Sequence, residues 1–569
     1  MSGRLFDPRS GSSKRRAVET QDFTAVVLVG YGENLYPFNE GTNVVSKAML
    51  PVGNTPIINS VLDWVVAAGI MEILIVVPST FHSQVAEHVA EHYSMSTHPR
   101  ARIDIRRPTE GEKDEDEEQS ESTGRVGAGL GGRDGTARLL KRFRNYIKTD
   151  FVLLPCDLAP PTSLPLKSIL DRHRSSPDAV LTSVFYEPAE SVKDSEEKIL
   201  VALDKSSDEL LLVQPLEAMD EELSLRMSLI SSHPTLSLTT RLLDAHIYVF
   251  RRTVLDLLST RRTKDLDSMR EQVVPWLIKG GWQKGLGERW APILNPPRKD
   301  PFAEALARST ISIPSSSSHY YASPTSSPMS DHTPLPQTSP GSPASPSSRD
   351  GSTSAQDERV THGDSSSRRN KKDRRSGWKC QVIVTAPVPI EAPVIAKGNK
   401  ADKYKVVAEP DVLIRANSLA GYWELNRRFM RALASNVSGA SKAPAATPPR
   451  PLVTSSDEAT GTAPAISPAA QISPDSLIGE GSRVGEKASI KKCIIGRHCN
   501  IGKGAKLTGC VLWDFVTIEE NARIENTIIC SNSRIGEKSQ VKDCEFGTGF
   551  EAKPGANYKG DRLVAGQEA

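Results

Sequence analysis

From Ile478 onward an apolar residue returns at intervals of six, six and five. The sets are Ile478, Val484 and Ile490; Ile495, Ile501 and Leu507; Leu512, Ile518 and Ile524; Ile529, Ile535 and Val541; then Phe546. The period is seventeen residues. Neither a helix nor a flat strand repeats at that interval, whereas three short strands bent into a triangular turn do, each anchor stacking on the one a turn away. Small residues stand four after many anchors, at Ser482, Ala488, Cys499, Ala505, Ala522, Ser533 and Ser539. Each buried anchor contributes about 1.5–3 kcal/mol. A single turn has nothing to bury them against, so a stacked parallel coil of about four turns is expected. Cys493, Cys510 and Cys544 recur at multiples of the same period. They read as one column of small packing groups, since no C-x-x-C pair or His cluster accompanies them. His498, the coil's one histidine, reads as a turn residue; acyl transfer on such a coil would need it as a catalyst.

The other end of the chain has a different grammar. The run Thr24 to Val29 is short and β-branched, as a buried strand is, and a helical pattern begins near Pro56. Between them Gly30 and Gly32 bracket one residue, a turn able to offer backbone N–H groups to an anion. A helix over Pro56 to Gly69, a strand over Glu72 to Val77, a helix over His82 to His92 and a strand over Arg102 to Arg106 follow. That alternation argues a parallel sheet flanked by helices. Further strands are expected at Phe151 to Leu154, Ala179 to Tyr186, Ile199 to Asp204, Leu210 to Val213, His246 to Phe250 and Cys380 to Thr385. Helices are expected at Val254 to Ser259, Leu266 to Lys279 and Leu419 to Leu433.

The Gly30/Gly32 loop, continued by Leu35, Pro37, Lys47 and the run Leu50-Pro51-Val52-Gly53, resembles the signature of sugar nucleotidyltransferases. The resemblance implies a Rossmann-type sheet, and similarity of the coil to hexapeptide proteins implies a left-handed parallel β-helix. It also implies that Gly135 and Thr136 line a nucleotide base and that Asp157 stands where active relatives hold Mg2+. Three positions depart from the pattern: Glu33 for a threonine, Asn34 for the catalytic arginine, and Gln214 for the lysine that holds the sugar phosphate. A carboxylate 4 Å from a phosphate costs about 4 kcal/mol at an effective dielectric near 20, roughly a thousandfold in affinity. A vestigial nucleotide site is expected, formed by Gly30, Gly32, Lys47, Gly135, Thr136 and Asp157, with no catalytic residue, metal or cofactor.

This two-part plan is shared by GDP-mannose pyrophosphorylases, bacterial sugar-phosphate transferases and two subunits of the guanine-nucleotide exchange factor for eukaryotic translation initiation factor 2. The chain is similar to the gamma-type subunits of that factor over Lys47 to Pro56, Leu154 to Leu158, Asp244 to Tyr248, Asn417 to Leu419 and Val541 to Cys544. Epsilon-type subunits add a C-terminal helical-repeat domain, and twenty-three residues after Phe546 are too few for one. The resemblance implies an accessory role. Such subunits pair with the catalytic epsilon subunit and the other subunits of the exchange factor, and act on initiation factor 2 with its bound GDP or GTP. The alternatives are an active GDP-mannose pyrophosphorylase and its catalytically silent regulatory relative. Partner contacts are expected from exposed coil residues such as Arg497, Trp513 and Asp514.

Domain boundaries follow from composition: a disordered start over 1–20, a nucleotidyltransferase-like domain over 21–434, a linker over 435–474, the β-helix over 475–550 and a tail over 551–569. The first domain holds an acidic loop at 107–125 and a Ser/Pro-rich insertion at 301–377 that cannot form a core. Its Ser-Pro pairs read as a spacer or as kinase sites. Net charge is +2, too little for a nucleic-acid field over the chain, and Lys14 to Arg16 and Arg368 to Arg375 read as solvated. No apolar run reaches a membrane span and no secretory segment opens the chain. With seven cysteines this reads as a cytosolic protein.

Overall fold

The computed structural model describes residues 22–41, 44–110 except 95, and 135–296 except 190–191, 193–196, 220–222, 224 and 261–265. It continues with 377–385, 411–440, 452–453 and 463–567. The expected N-terminal segment 1–20, most of the acidic loop and the insertion lie outside the described residues, apart from the loop's first residues and Gly377.

The first part is built on a ten-stranded sheet. Its strands are β1 (Phe23–Leu28), β2 (Glu72–Val76), β3 (Arg102–Arg106), β4 (Asp150–Pro155), β5 (Ala179–Tyr186), β6 (Ile199–Asp204), β7 (Glu209–Pro215), β8 (Leu236–Thr239), β9 (Leu243–Phe250) and β10 (Lys379–Thr385). The spatial order is β8-β6-β7-β10-β5-β9-β4-β1-β2-β3. β1 runs parallel to both β2 and β4, and β3 parallel to β2. The order therefore reverses between β1 and β4, which opens a crevice at their carboxyl ends. Two apolar layers cover the sheet, one around Phe143, Phe151 and Phe250, the other around Ile58, Leu62 and Leu154. β10 returns to the middle of the sheet, parallel to β5 from Cys380 opposite Leu181 to Thr385 opposite Tyr186. The segment before β10 is thus inserted within this fold. β8 was not expected from the sequence: Leu236–Thr239 alternates apolar and polar, but over only four residues at the sheet edge, short of the mean strand length of about five to six.

The second part is a parallel β-helix with seven strands on one face and six on each of the others. Every anchor named from the sequence is buried, and the seven small residues are buried beside them. The coil is longer than expected. Strands at Ala465–Ile466 and Gln471–Ile472 lie inside the segment assigned to a linker, and Glu551–Ala552, Asn557–Lys559 and Arg562–Leu563 lie inside the assigned tail. The signal is weaker at both ends: Ala552 and Tyr558 take the anchor positions opposite Ile535 and Val541, and at the start Ile466 and Ile472 stack on Val484 and Ile490 eighteen residues on, one out of step with the repeat. The cysteine column is real, with the Cys510 N–H donating to the Cys493 sulfur at 3.5 Å.

One face of the coil is apolar on both sides. In the pairs Leu477–Ile478, Ile494–Ile495, Val511–Leu512 and Ile528–Ile529 the second residue points inward, and the first is also buried. Those outer residues pack with Leu35, Phe38 and Leu50 of the first part and with Leu419, Tyr422 and Trp423 of the helix Leu419–Ala440. Tyr422 donates its phenol to the Pro51 carbonyl at 2.6 Å and accepts from Trp513 Nε1 at 3.0 Å. Trp513 is 3% exposed. This corrects the expectation that it is an outward contact for a partner: it is spent inside the chain.

Candidate nucleotide site at the sheet crossover

A cavity of about 450 Å³ lies at the carboxyl ends of β1 and β4, where the strand order reverses. Gly30, Lys47, Thr136 and Asp157 line it, together with Tyr31, His246, Tyr248, Met269, Arg270 and Arg415. Four of the six residues read as a vestigial site therefore converge. Gly32 and Gly135 stand outside the lining. Gly32 takes a φ of 76°, and Gly135 precedes the short helix Thr136–Arg142, where a Cβ would lie 2.4 Å from the Asp267 carbonyl oxygen.

Asp157 is 1% exposed and its carboxylate is held from two sides. Lys47 Nζ is 2.7 Å from Oδ2, and Arg415 Nη2 donates to both oxygens at 3.2 Å. Lys47 comes from a turn capped by Ser46, whose hydroxyl accepts from the Ala48 N–H. Arg415 comes from the strand Ile414–Arg415, antiparallel to Leu158–Ala159 beside Asp157, and the Ala416 N–H donates to the Asp157 carbonyl at 2.8 Å. Burial pushes this carboxyl up; the Arg415 and Lys47 charges more than reverse it and hold it well below the usual carboxylate range. Burial lowers His246 well below the usual imidazole range, with Arg415 and Arg270 adding to the effect, so the ring is neutral. The φ of His246 is 56°, and its backbone N–H donates to Asp244 Oδ1 at 2.8 Å. Burial also pushes the Cys156 thiol up to about 12.

Glu33 and Asn34 do not face a phosphate cradle as their motif positions implied. Both are exposed on the turn Glu33–Leu35 and neither lines the cavity. Gln214 does not reach the cavity either; its amide donates to the Ala218 carbonyl at 3.3 Å. Sequence reasoning missed Arg415, which lies 258 residues from its partner. Nothing in its local sequence marks it.

The resemblance implies Mg2+ at Asp157, and the donor set does not fit it. Mg2+ needs several oxygen ligands in octahedral array, whereas this single carboxylate already faces an ammonium and a guanidinium. Among the described residues no group of three or more His, Cys, Asp or Glu side chains could hold a metal ion.

A family described as nucleotidyl transferase matches residues 24–194, and one described as the EIF2B subunit epsilon LbH domain matches residues 462–554. Fold and matches together define a nucleotidyltransferase-type domain joined to a left-handed β-helix. The chain is similar to gamma subunits of translation initiation factor eIF2B. It is 30% identical over 294 residues to the one from Schizosaccharomyces pombe, covering 50% of this chain and 58% of the relative. It is 21% identical over 255 residues to the one from Dictyostelium discoideum, covering 41% and 52%. It thus spans little more than half the length of either relative. No helix among the described residues is long and apolar enough to cross a membrane.

Proposed function

We propose that this chain is an accessory subunit of the initiation factor 2B exchange factor, pairing with the catalytic epsilon subunit in the cytosol and acting on initiation factor 2 by docking. Its own nucleotidyltransferase site is catalytically silent. Similarity to two gamma subunits supports the assembly; the observation that carries the silence is the Lys47–Asp157–Arg415 clamp, which engages the one carboxylate lining the cavity among the described residues. Arg270 leaves the cavity electropositive, yet its guanidinium is engaged by Glu197 at 3.1 Å.

Three measurements test this reading. Affinity purification from cells is expected to recover other initiation factor 2B subunits; recovery of a mannose-1-phosphate transferase in their place would identify a regulatory pyrophosphorylase relative. Calorimetric titration with GTP, ATP and GDP-mannose is expected to show no magnesium-dependent micromolar binding. Robust sugar-nucleotide synthesis by the purified chain, abolished by Asp157→Asn, would overturn the silent-site reading.

A further inference from the structure

The three faces of the coil differ in what their outward side chains can do. One is covered by the rest of the chain. A second mixes signs, with Arg483, Asn500, Thr517, Arg534 and Glu551 in sequence, and Arg534 is engaged by Glu519. The third, formed by Ser489–Lys491, Lys506–Thr508, Arg523–Glu525, Gln540–Lys542 and Asn557–Lys559, carries five exposed cations against one exposed carboxylate, Glu525.

The five are Lys491, Lys506, Arg523, Lys542 and Lys559. Glu525 lies 3.5 Å from Lys542; among the described residues the other four have no carboxylate at ion-pair distance. At the adjoining corners Glu486 is engaged by Lys503 and Glu537 by Lys538, while Asp543 accepts from Asn526 Nδ2 at 3.1 Å and Asp561 from the Lys559 backbone N–H at 3.0 Å, which leaves Glu520 as an exposed acid beside the face. The register makes the crowding worse. Lys506 is the direct strand partner of Arg523, and Lys542 of Lys559, and like charges placed directly opposite destabilise a ladder. A chain with a net charge of only +2 has thus gathered unpaired cations on one flat, rigid face at a cost to its own fold. A partner that supplies carboxylates removes that cost.

We propose that this third face is a docking surface for an acidic polypeptide segment of a partner protein. A nucleic acid fits it less well, because single-strand binding relies on exposed aromatic platforms. Tyr558 on this face points inward, and the exposed Phe515 sits at the corner between the other two faces.

The test uses the full chain and fluorescence anisotropy of a short labelled oligoglutamate, with labelled oligouridine of equal length as the second probe. Lys506→Glu/Lys559→Glu is compared with Arg483→Glu/Arg534→Glu, which makes the same charge change on the mixed-sign face. The first variant is expected to bind oligoglutamate about tenfold more weakly, and the second within about twofold of wild type. The first should melt no lower than wild type, since each new glutamate faces a cation, so misfolding does not account for the loss. Equal losses in both variants, no binding by wild type, or tighter binding of oligouridine lost in the first variant would each overturn the proposal.

Discussion

A carboxylate as buried as Asp157 stays ionised because Lys47 and Arg415 face it, themselves largely buried. Replacing it with asparagine leaves two cations against a neutral amide, which is expected to cost about 3–5 kcal/mol, read as the difference in urea stability between wild type and Asp157→Asn. The pH sign follows from the direction of the shift. The folded carboxyl titrates below the unfolded value of about 3.9, so its contribution is full above that value and is lost as pH falls through the folded one. The difference between the two proteins is therefore flat from neutral pH down to about pH 5 and shrinks below about pH 4. The buried histidines act with the same sign in a higher pH window. Burial, joined by His92 at His88 and by Arg251 at His173, lowers each imidazole to about 4. Unfolding then takes up a proton at each between about 6.5 and the folded value, and stability falls with acidification by up to roughly 1.4 kcal/mol per pH unit per histidine. The urea midpoint is expected to drop between neutral pH and about pH 5, and a flat midpoint would count against neutral, buried rings at these positions.

Among the elements, the helix Leu419–Ala440 ties the cavity to the coil, and one glycine sets how closely it sits. A Cβ at Gly421 would lie 2.0 Å from the Arg415 carbonyl oxygen, a backbone atom that cannot swing aside. Gly421→Ala is expected to destabilise by about 2 kcal/mol or more, while Gly285→Ala, with nothing near its Cβ, should leave stability unchanged or raise it by up to about 1 kcal/mol. Differential scanning calorimetry distinguishes the two. Periodicity made most elements legible: the coil's interior column and strands β1, β2 and β5 carry patterns that only one structure satisfies. Position in space was less legible. Lys47 and Asp157 were readable through a motif, but Arg415 reaches Asp157 only through tertiary packing, and Glu33 and Asn34 kept their motif positions while their side chains turned to solvent. A usable signal for the covered face was present in the doubled aliphatics Leu477–Ile478, Ile494–Ile495, Val511–Leu512 and Ile528–Ile529. A polar residue at the first position of each pair would have meant solvent; aliphatics at all four mean a cover.

At the scale of the whole molecule, that cover makes the coil dependent on the first part. Leu477, Ile494, Val511 and Ile528 are buried by Leu35, Phe38, Tyr422 and their neighbours rather than by the coil itself. At about 1.5–3 kcal/mol per buried aliphatic, the four contribute up to roughly 6–12 kcal/mol to holding the two parts together. Hydrogen bonds fix the register of the docking, with Asn54 Nδ2 donating to the Ile495 carbonyl at 2.7 Å and Trp423 Nε1 to Glu545 at 3.1 Å. A fragment spanning 463–567 is expected to keep its parallel ladders, since these pair within the coil, but to expose a continuous aliphatic strip. Sedimentation velocity should show it self-associating with rising concentration. Changing Ile494 and Ile528 to lysine in that fragment should restore a monomer without loss of strand content by circular dichroism. In the full chain the same pair should loosen the docking, so that one cooperative melting transition becomes two. A monomeric wild-type fragment at high concentration would mean that the strip is too narrow to drive association, and that hydrogen bonding and shape hold the two parts together instead.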